Sequence, residues 1–332
     1  MRGKVIGVLT ILLLAPVTAE LLQAYLGDLG GIGGLVFVDL FFAPLYGGMA
    51  LLIREVSVRT GRGWRGRLLL AAAFGVAMPT IIDLSLFTPV RDDIDDWGTI
   101  VSAVSLGGIG WYAAITWVAG HVLMSVTAPV VVGETLARHP GPWLGKLGLV
   151  ITGLAFIGMA AVIHHDQATS YAIDAGPADY VVSSVIIATL VVLAFTPLGR
   201  PLDPGRARRT PPLAVCLAVG VVGMAVLDFV PLSLIGLAVF AVTLSLGLLL
   251  VARWSGSPGW TQRHLAALTL GALLTRTVTG FLAPLPQDTT WPEKITQNAT
   301  YLALILLLGW AMHRRTRRMD TGAVDALASG KR

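Results

Sequence analysis

Apolar runs of about twenty residues recur along almost the whole chain, and few of them carry more than one charged side chain. A run of that length crosses the hydrocarbon core of a bilayer as one helix. Charged residues make up 13% of the 332 residues, against about 25% in a soluble domain. A membrane β-barrel needs apolar–polar alternation over about ten residues. Runs such as Val181–Phe195 and Leu232–Val251 are continuous instead, so helices satisfy the backbone in lipid. The expected fold class is all-α: a polytopic transmembrane helix bundle of about ten helices, with both termini cytoplasmic.

The runs place spans at roughly 5–26, 32–53, 67–87, 108–133, 143–164, 179–198, 211–230, 232–252, 264–284 and 296–312, with Gly and Pro punctuating most connections. Charge tests this order. Of the 24 Lys and Arg residues, the loops on one side and the two tails hold twenty-one. These run from Arg2 and Lys4, through Arg54, Arg59, Arg62, Arg65 and Arg67, to Arg314, Arg315, Arg317 and Arg318. The opposite loops hold only Arg91 and Lys294, and Arg276 lies within a span. This partition puts the basic side in the cytoplasm. A missed or added helix in the middle would scramble it.

The same partition explains the net charge of +5 without nucleic acid. The basic face meets anionic lipid headgroups, Trp64 fits an interfacial anchor, and the expected location is the cell membrane. The opposite loops are acidic, at Asp92, Asp93, Asp95 and Asp96, then Asp166, Asp174 and Asp179. Residues 1–313 read as a single transmembrane domain, divisible into halves 1–175 and 176–313. The second half would be inverted as in many transporters, although no sequence repeat marks the division. Residues 314–332 read as a disordered basic tail. A second reading of the N-terminus is a signal peptide ending near Val17-Thr18-Ala19; its cleavage would leave nine helices in the same orientations.

Ionisable residues inside spans cost roughly 2.5–3.5 kcal/mol on insertion scales and point to function. Five stand out: Glu20, Asp39, Asp83, His121 and Arg276. Glu20 lies sixteen residues past Lys4, and Asp83 sixteen past Arg67. Each is therefore about 24 Å from the basic face. Asp39 lies near the acidic face, and His121 and Arg276 near mid-membrane. Pro16 and Pro79 each stand four residues before a carboxylate; proline frees a backbone carbonyl on the preceding turn. These residues suit a site for a small solute or ion, or internal ion pairs such as Arg276 with Asp39 or Asp83. Glu134 and Arg54-Glu55, at the cytoplasmic ends of spans, read as solvated or paired. The Asp92–Asp96 loop and His164-His165-Asp166 are weaker candidates for cation binding, and Asn298-Ala-Thr fits the glycosylation pattern.

Several motifs are absent: H-E-x-x-H, G-x-S-x-G, the phosphate-binding G-x-x-x-x-G-K-S/T and C-x-x-C. Cys216 is the sole cysteine, which leaves no disulfide within the chain. No cofactor or resident metal is expected.

Ala15-Pro16 with Ala19-Glu20-Leu21-Leu22, Leu52-Ile53-Arg54-Glu55, Gly61-Arg62-Gly63-Trp64, His121 with Ser125, and Pro142-Trp143-Leu144-Gly145 carry a resemblance. Residues 10–160 resemble a family of uncharacterised multipass proteins, mostly of actinobacteria and fungi. The resemblance implies no established activity. Members often have a Glu-Glu pair in the third span, which is similar to the catalytic pair of CAAX-type intramembrane proteases. Here the stretch reads Gly75-Val-Ala-Met78-Pro79-Thr80, and Asp83 is the one nearby carboxylate. Metal-activated water needs a general base beside the metal ligands. The expected function is therefore permease-like or solute-binding rather than enzymatic. A degenerate intramembrane metalloenzyme and a non-catalytic membrane scaffold are the alternatives.

Overall fold

The computed structural model describes residues 1–23, 31–94, 96–202, 209–286 and 288–328, with residues 317–328 described by backbone alone. Among these the fold is all-helical, apart from a two-residue hairpin pairing Ser105–Leu106 with Ile109–Gly110. Ten long rods make up the bundle: α1 Arg2–Leu21, α2 Gly31–Arg59, α3 Trp64–Ile82, α4 Trp111–Ala137, α5 Lys146–Ser170, α6 Pro177–Phe195, α7 Leu213–Phe229, α8 Leu234–Ser255, α9 Gln262–Gly280 and α10 Trp291–Ala328. Eight are long and apolar enough to cross a membrane. The other two are α7, a shorter apolar helix of 17 residues, and α9, which carries Gln262, Arg263, His264 and Arg276. The last rod continues through Ala328, across residues read from sequence as a disordered tail. Ala, Leu, Met and Arg there are good helix formers, and no proline interrupts them.

Contacts between rod ends fix their directions. At one end Gly3 packs against the Ala137 backbone, and Arg65 donates to the Arg200 carbonyl at 3.2 Å. Gln262 donates to Val131 O at 3.2 Å and to Thr135 Oγ1 at 3.1 Å. At the other end the Tyr112 hydroxyl donates to Val230 O at 2.9 Å, and the Asp174 amide to Phe87 O at 2.7 Å. The first four rods thus alternate in direction, and the arginine-rich segment 54–67 shares one end with segment 138–146, which holds Arg138 and Lys146.

The core surrounds α1. That rod packs against α2 and α4, while α9 and α10 pack on α4, α6 on α3 and α5 on α2. Contacts therefore run across residue 175. The α5 rod has no buried residue, and it exposes Leu147, Val150, Ile151 and Leu154. Leu234, Ile235 and Leu249 are likewise exposed on α8. Between α7 and α9, a Cβ on Gly220 or Gly271 would strike the facing backbone. Small residues here let two helix backbones approach closely.

The first four rods share a local departure from α-helix. Each contains a π-helical segment: Val17–Leu21, Ala43–Gly47, Met78–Ile82 and His121–Thr127. Each segment has a proline inside it or within two residues of its ends: Pro16, Pro44, Pro79 and Pro129. Proline cannot donate to the preceding turn, and its ring crowds the carbonyl there. Widening the helix by one residue is one way to relieve this, and such widenings are frequent at functional sites. In α4, Pro129 has no N–H to offer Met124 O, which instead accepts from Thr18 Oγ1 of α1 at 2.6 Å. At Gly47 a Cβ would lie 2.5 Å from Leu12 O, so only glycine allows α2 to lie this close to α1.

Candidate functional site

The π segments bring three of the five sequence candidates toward one another. Glu20 lies in the α1 segment and His121 opens the α4 segment. Between them stands Tyr46, from the α2 segment. Its hydroxyl donates to Glu20 Oε1, and its ring stacks on the His121 imidazole with centroids 5.9 Å apart and planes 17° apart. Phe74 of α3 meets the same imidazole edge-on at 5.8 Å. His121 Nδ1 pairs with Ser125 Oγ at 3.0 Å, one turn on. Tyr46, Phe74 and Ser125 are buried, so the walls of this niche are rigid. Its two titratable members can exchange protons and face one another through an aromatic ring.

Asp83 closes the segment in α3. Beyond it Leu84 adopts φ 55°, which turns the chain sharply. The Ser85 amide donates to Asp83 Oδ1 at 2.9 Å. Asp83 lies within electrostatic reach of Glu20 on one side and of Arg91 on the other. Both His121 and Asp83 are half-buried. The neighbouring carbonyl, Ile81 O, accepts from His164 Nδ1 at 2.7 Å, which ties α5 to α3.

The segment after Asp83 folds over this end of the bundle. Arg91 holds Asp93 through two bonds, at 3.0 and 2.7 Å. Its guanidinium also lies 5.0 Å from the Trp97 ring and 4.7 Å from the Tyr171 ring. Trp97 Nε1 donates to Thr88 O at 2.7 Å. The hydrogen bond from Arg91 holds the Asp93 carboxyl below its ordinary range. One acid of the expected cation loop is thus committed to an arginine, and Asp95 lies outside the described residues.

The other two candidates lie elsewhere. Asp39 sits two turns before Tyr46 on α2, within electrostatic reach of Tyr301 on α10. Arg276 is paired with Asp228 near the end of α7, and Thr279 Oγ1 donates to the same carboxylate at 2.8 Å. The partner is therefore neither Asp39 nor Asp83. Asp228 escaped sequence reasoning because it stands two residues from the end of the span read at 211–230, at the edge of an apolar run. Asn298 is 1% exposed, so the folded chain does not present it for glycosylation.

Sequence reasoning also missed how deeply the charged pair on α2 is buried. Arg54 and Glu55 are both fully buried. Arg54 reaches Glu55 at 2.5 Å, Glu134 at 3.2 Å and the Gly141 carbonyl at 2.9 Å. Its guanidinium lies 3.6 Å from the centre of the Trp143 ring. Glu55 accepts from the amides of Trp143 and Leu144 at 2.9 and 3.1 Å and from Arg59. Arg67 joins Glu134 at 2.9 Å. The network clamps the segment after α4 onto α2 and α3, closing the end of the bundle opposite the Arg91 cap. The one sequence signal for it was the resemblance, whose motifs include Arg54, Glu55 and Trp143.

Among the described residues no group of three His, Cys, Asp or Glu side chains is placed to hold a metal ion. Comparison of the chain with protein-family models, with curated proteins and with solved structures finds no match.

Proposed function

We propose that this chain is a multi-pass protein of the cell membrane, with both termini cytoplasmic, that binds a small polar solute or ion in a permease-like manner. The lopsided distribution of Lys and Arg supports the orientation, and apolar faces such as that of α5 suit contact with lipid. The observation that carries the function is the niche at Glu20, Tyr46 and His121. Two titratable groups there meet across one tyrosine side chain where four adjacent rods depart from regular helix. Irregular backbone at membrane depth is tolerated where it is buried in protein or lines a cavity.

In this reading a cationic or hydrogen-bond-donating solute competes with the Tyr46 hydroxyl for Glu20, and His121 relays a proton. The Arg54–Glu134 network closes the cytoplasmic end, and the Arg91 cap covers the other. The scaffold reading is favoured by the Arg276–Asp228 pair, which is an internal ion pair remote from the niche.

Thiol accessibility tests the proposal without knowledge of the solute. Glu20→Cys and His121→Cys are made in a Cys216→Ala background and exposed, in oriented vesicles, to a membrane-impermeant maleimide. Labelling of both positions from one face is the expected result. Two folded variants that stay unlabelled from either face would mean the niche is dry, and the proposal would fall.

A further inference from the structure

The buried stripe of α10 is polar at its outset. Lys294, Gln297, Asn298 and Tyr301 are 1%, 7%, 1% and 5% exposed, and their spacing puts them on one side of the helix. Lys294 is anchored, with its ammonium donating to Pro284 O at 2.9 Å. Asn298 is not: neither its Oδ1 nor its Nδ2 has a hydrogen-bond partner, and Gln297 Nε2 has none either. Across from Tyr301, Asp39 Oδ1 is buried without a partner as well. A buried polar group left unsatisfied destabilises the fold. Two of these four atoms, Asp39 Oδ1 and Asn298 Oδ1, are acceptors, and beside one short stretch of α10 they call for a ligand that satisfies them.

The surroundings select its charge. Asn298 Oδ1 lies 3.2 Å from where a Cβ on Gly280 would be, and the Leu22 carbonyl approaches the same point. Gly280 ends α9, and Leu22 caps the end of α1. The C-terminal ends of two helices thus converge on Asn298, each carrying about half a negative charge. Carbonyls at helix C-termini and a buried carboxylate favour a cation. A single carboxylate among otherwise neutral oxygens matches one positive charge rather than two.

We propose that Asp39, Asn298 and Tyr301, beside the Leu22 carbonyl, form a binding site for a small monovalent metal cation. The site lies where α2 and α10 meet the ends of α1 and α9, and it stands whether or not the niche at Glu20 and His121 binds a solute.

Sodium is the probe. The purified full chain is melted in detergent through a sodium chloride series held at constant ionic strength with choline chloride, and tryptophan fluorescence is followed. The melting temperature should rise by roughly 2–4 °C for each tenfold increase above the dissociation constant. Asp39→Asn and Asn298→Leu should each abolish the rise. Asn298→Leu removes both orphaned atoms at similar volume, so it leaves a folded protein for the comparison. A flat response in the wild-type chain, or a rise that persists in either variant, overturns the site.

Discussion

The Tyr46 hydroxyl donates to the Glu20 carboxylate across the π segments of α1 and α2. The bond holds the Tyr46 ring parallel to His121, so one side chain connects the two titratable members of the niche.

Replacing Tyr46 with Phe keeps the stack and removes the donor. Glu20 then loses a charge-assisted bond, worth about 1.5–3 kcal/mol for a hydrogen bond to a charged group. The melting temperature in detergent should fall by several degrees. Glu20→Gln, which keeps an oxygen to accept from Tyr46, should be milder than Glu20→Leu. If Tyr46→Phe melts with the wild type, the bond does not hold the niche together.

Much of this arrangement was legible in the sequence, for reasons that can be named. Rod positions followed from apolar length: the run at 232–252 became Leu234–Ser255, and that at 32–53 became Gly31–Arg59. Pro16 and Pro79 marked where regular helix gives way beside Glu20 and Asp83. What stayed hidden was pairing between distant segments. Tyr46 resembles any aromatic residue in an apolar run until α1 and α4 are placed on either side of it. Arg54 and Glu55, next to a solvent-facing loop, read as solvated or paired, and only the segment at 139–144 folding over them decides for buried pairing. Nothing in the spacing assigns Arg276 to Asp228, because the two lie on different helices.

The Arg54 network makes a sharp prediction about charge removal. Glu55 is fully buried and accepts bonds from two guanidinium groups and two backbone amides. Glu55→Leu leaves the buried Arg54 with Glu134 as its one carboxylate partner and strips the Trp143 and Leu144 amides of their acceptor; losing one partner of a buried pair costs up to about 3–5 kcal/mol. Folded protein recovered by size exclusion should drop severely. Arg62→Gln, whose guanidinium bonds only to backbone carbonyls in exposed or half-buried settings, should be tolerated. Equal recovery of the two variants would show that the network does not stabilise the bundle.

The Arg91 cap should respond to acid. Hydrogen bonding by Arg91 lowers the Asp93 pKa in the folded chain. Its contribution is therefore complete above the unfolded value of about 3.9 and is lost as pH falls through the lower, folded value. Asp93 is 48% exposed, so screening keeps the contribution below about 1 kcal/mol. Melting curves from about pH 6 to pH 3 should show a small acid-side loss of stability that Asp93→Asn reduces. An acid limb identical in the variant and the wild type would assign the loss to other carboxylates.

The Arg276–Asp228 pair separates internal pairing from function. Asp228 is 2% exposed and Arg276 22% exposed at their side chains, and Thr279 supplies one further donor to the carboxylate. Arg276→Leu leaves a buried carboxylate with too few donors, and Asp228→Leu leaves a guanidinium facing apolar neighbours. Each single change should lower stability by about 3–5 kcal/mol, whereas the double change to leucine should recover most of that loss, because an apolar pair has no charge to desolvate. A double-mutant cycle on melting temperature reads the coupling directly. Recovery in the double variant, with thiol labelling at the niche unchanged, would make the pair a structural clasp between α7 and α9. Additive losses instead would mean that Arg276 acts on something other than Asp228.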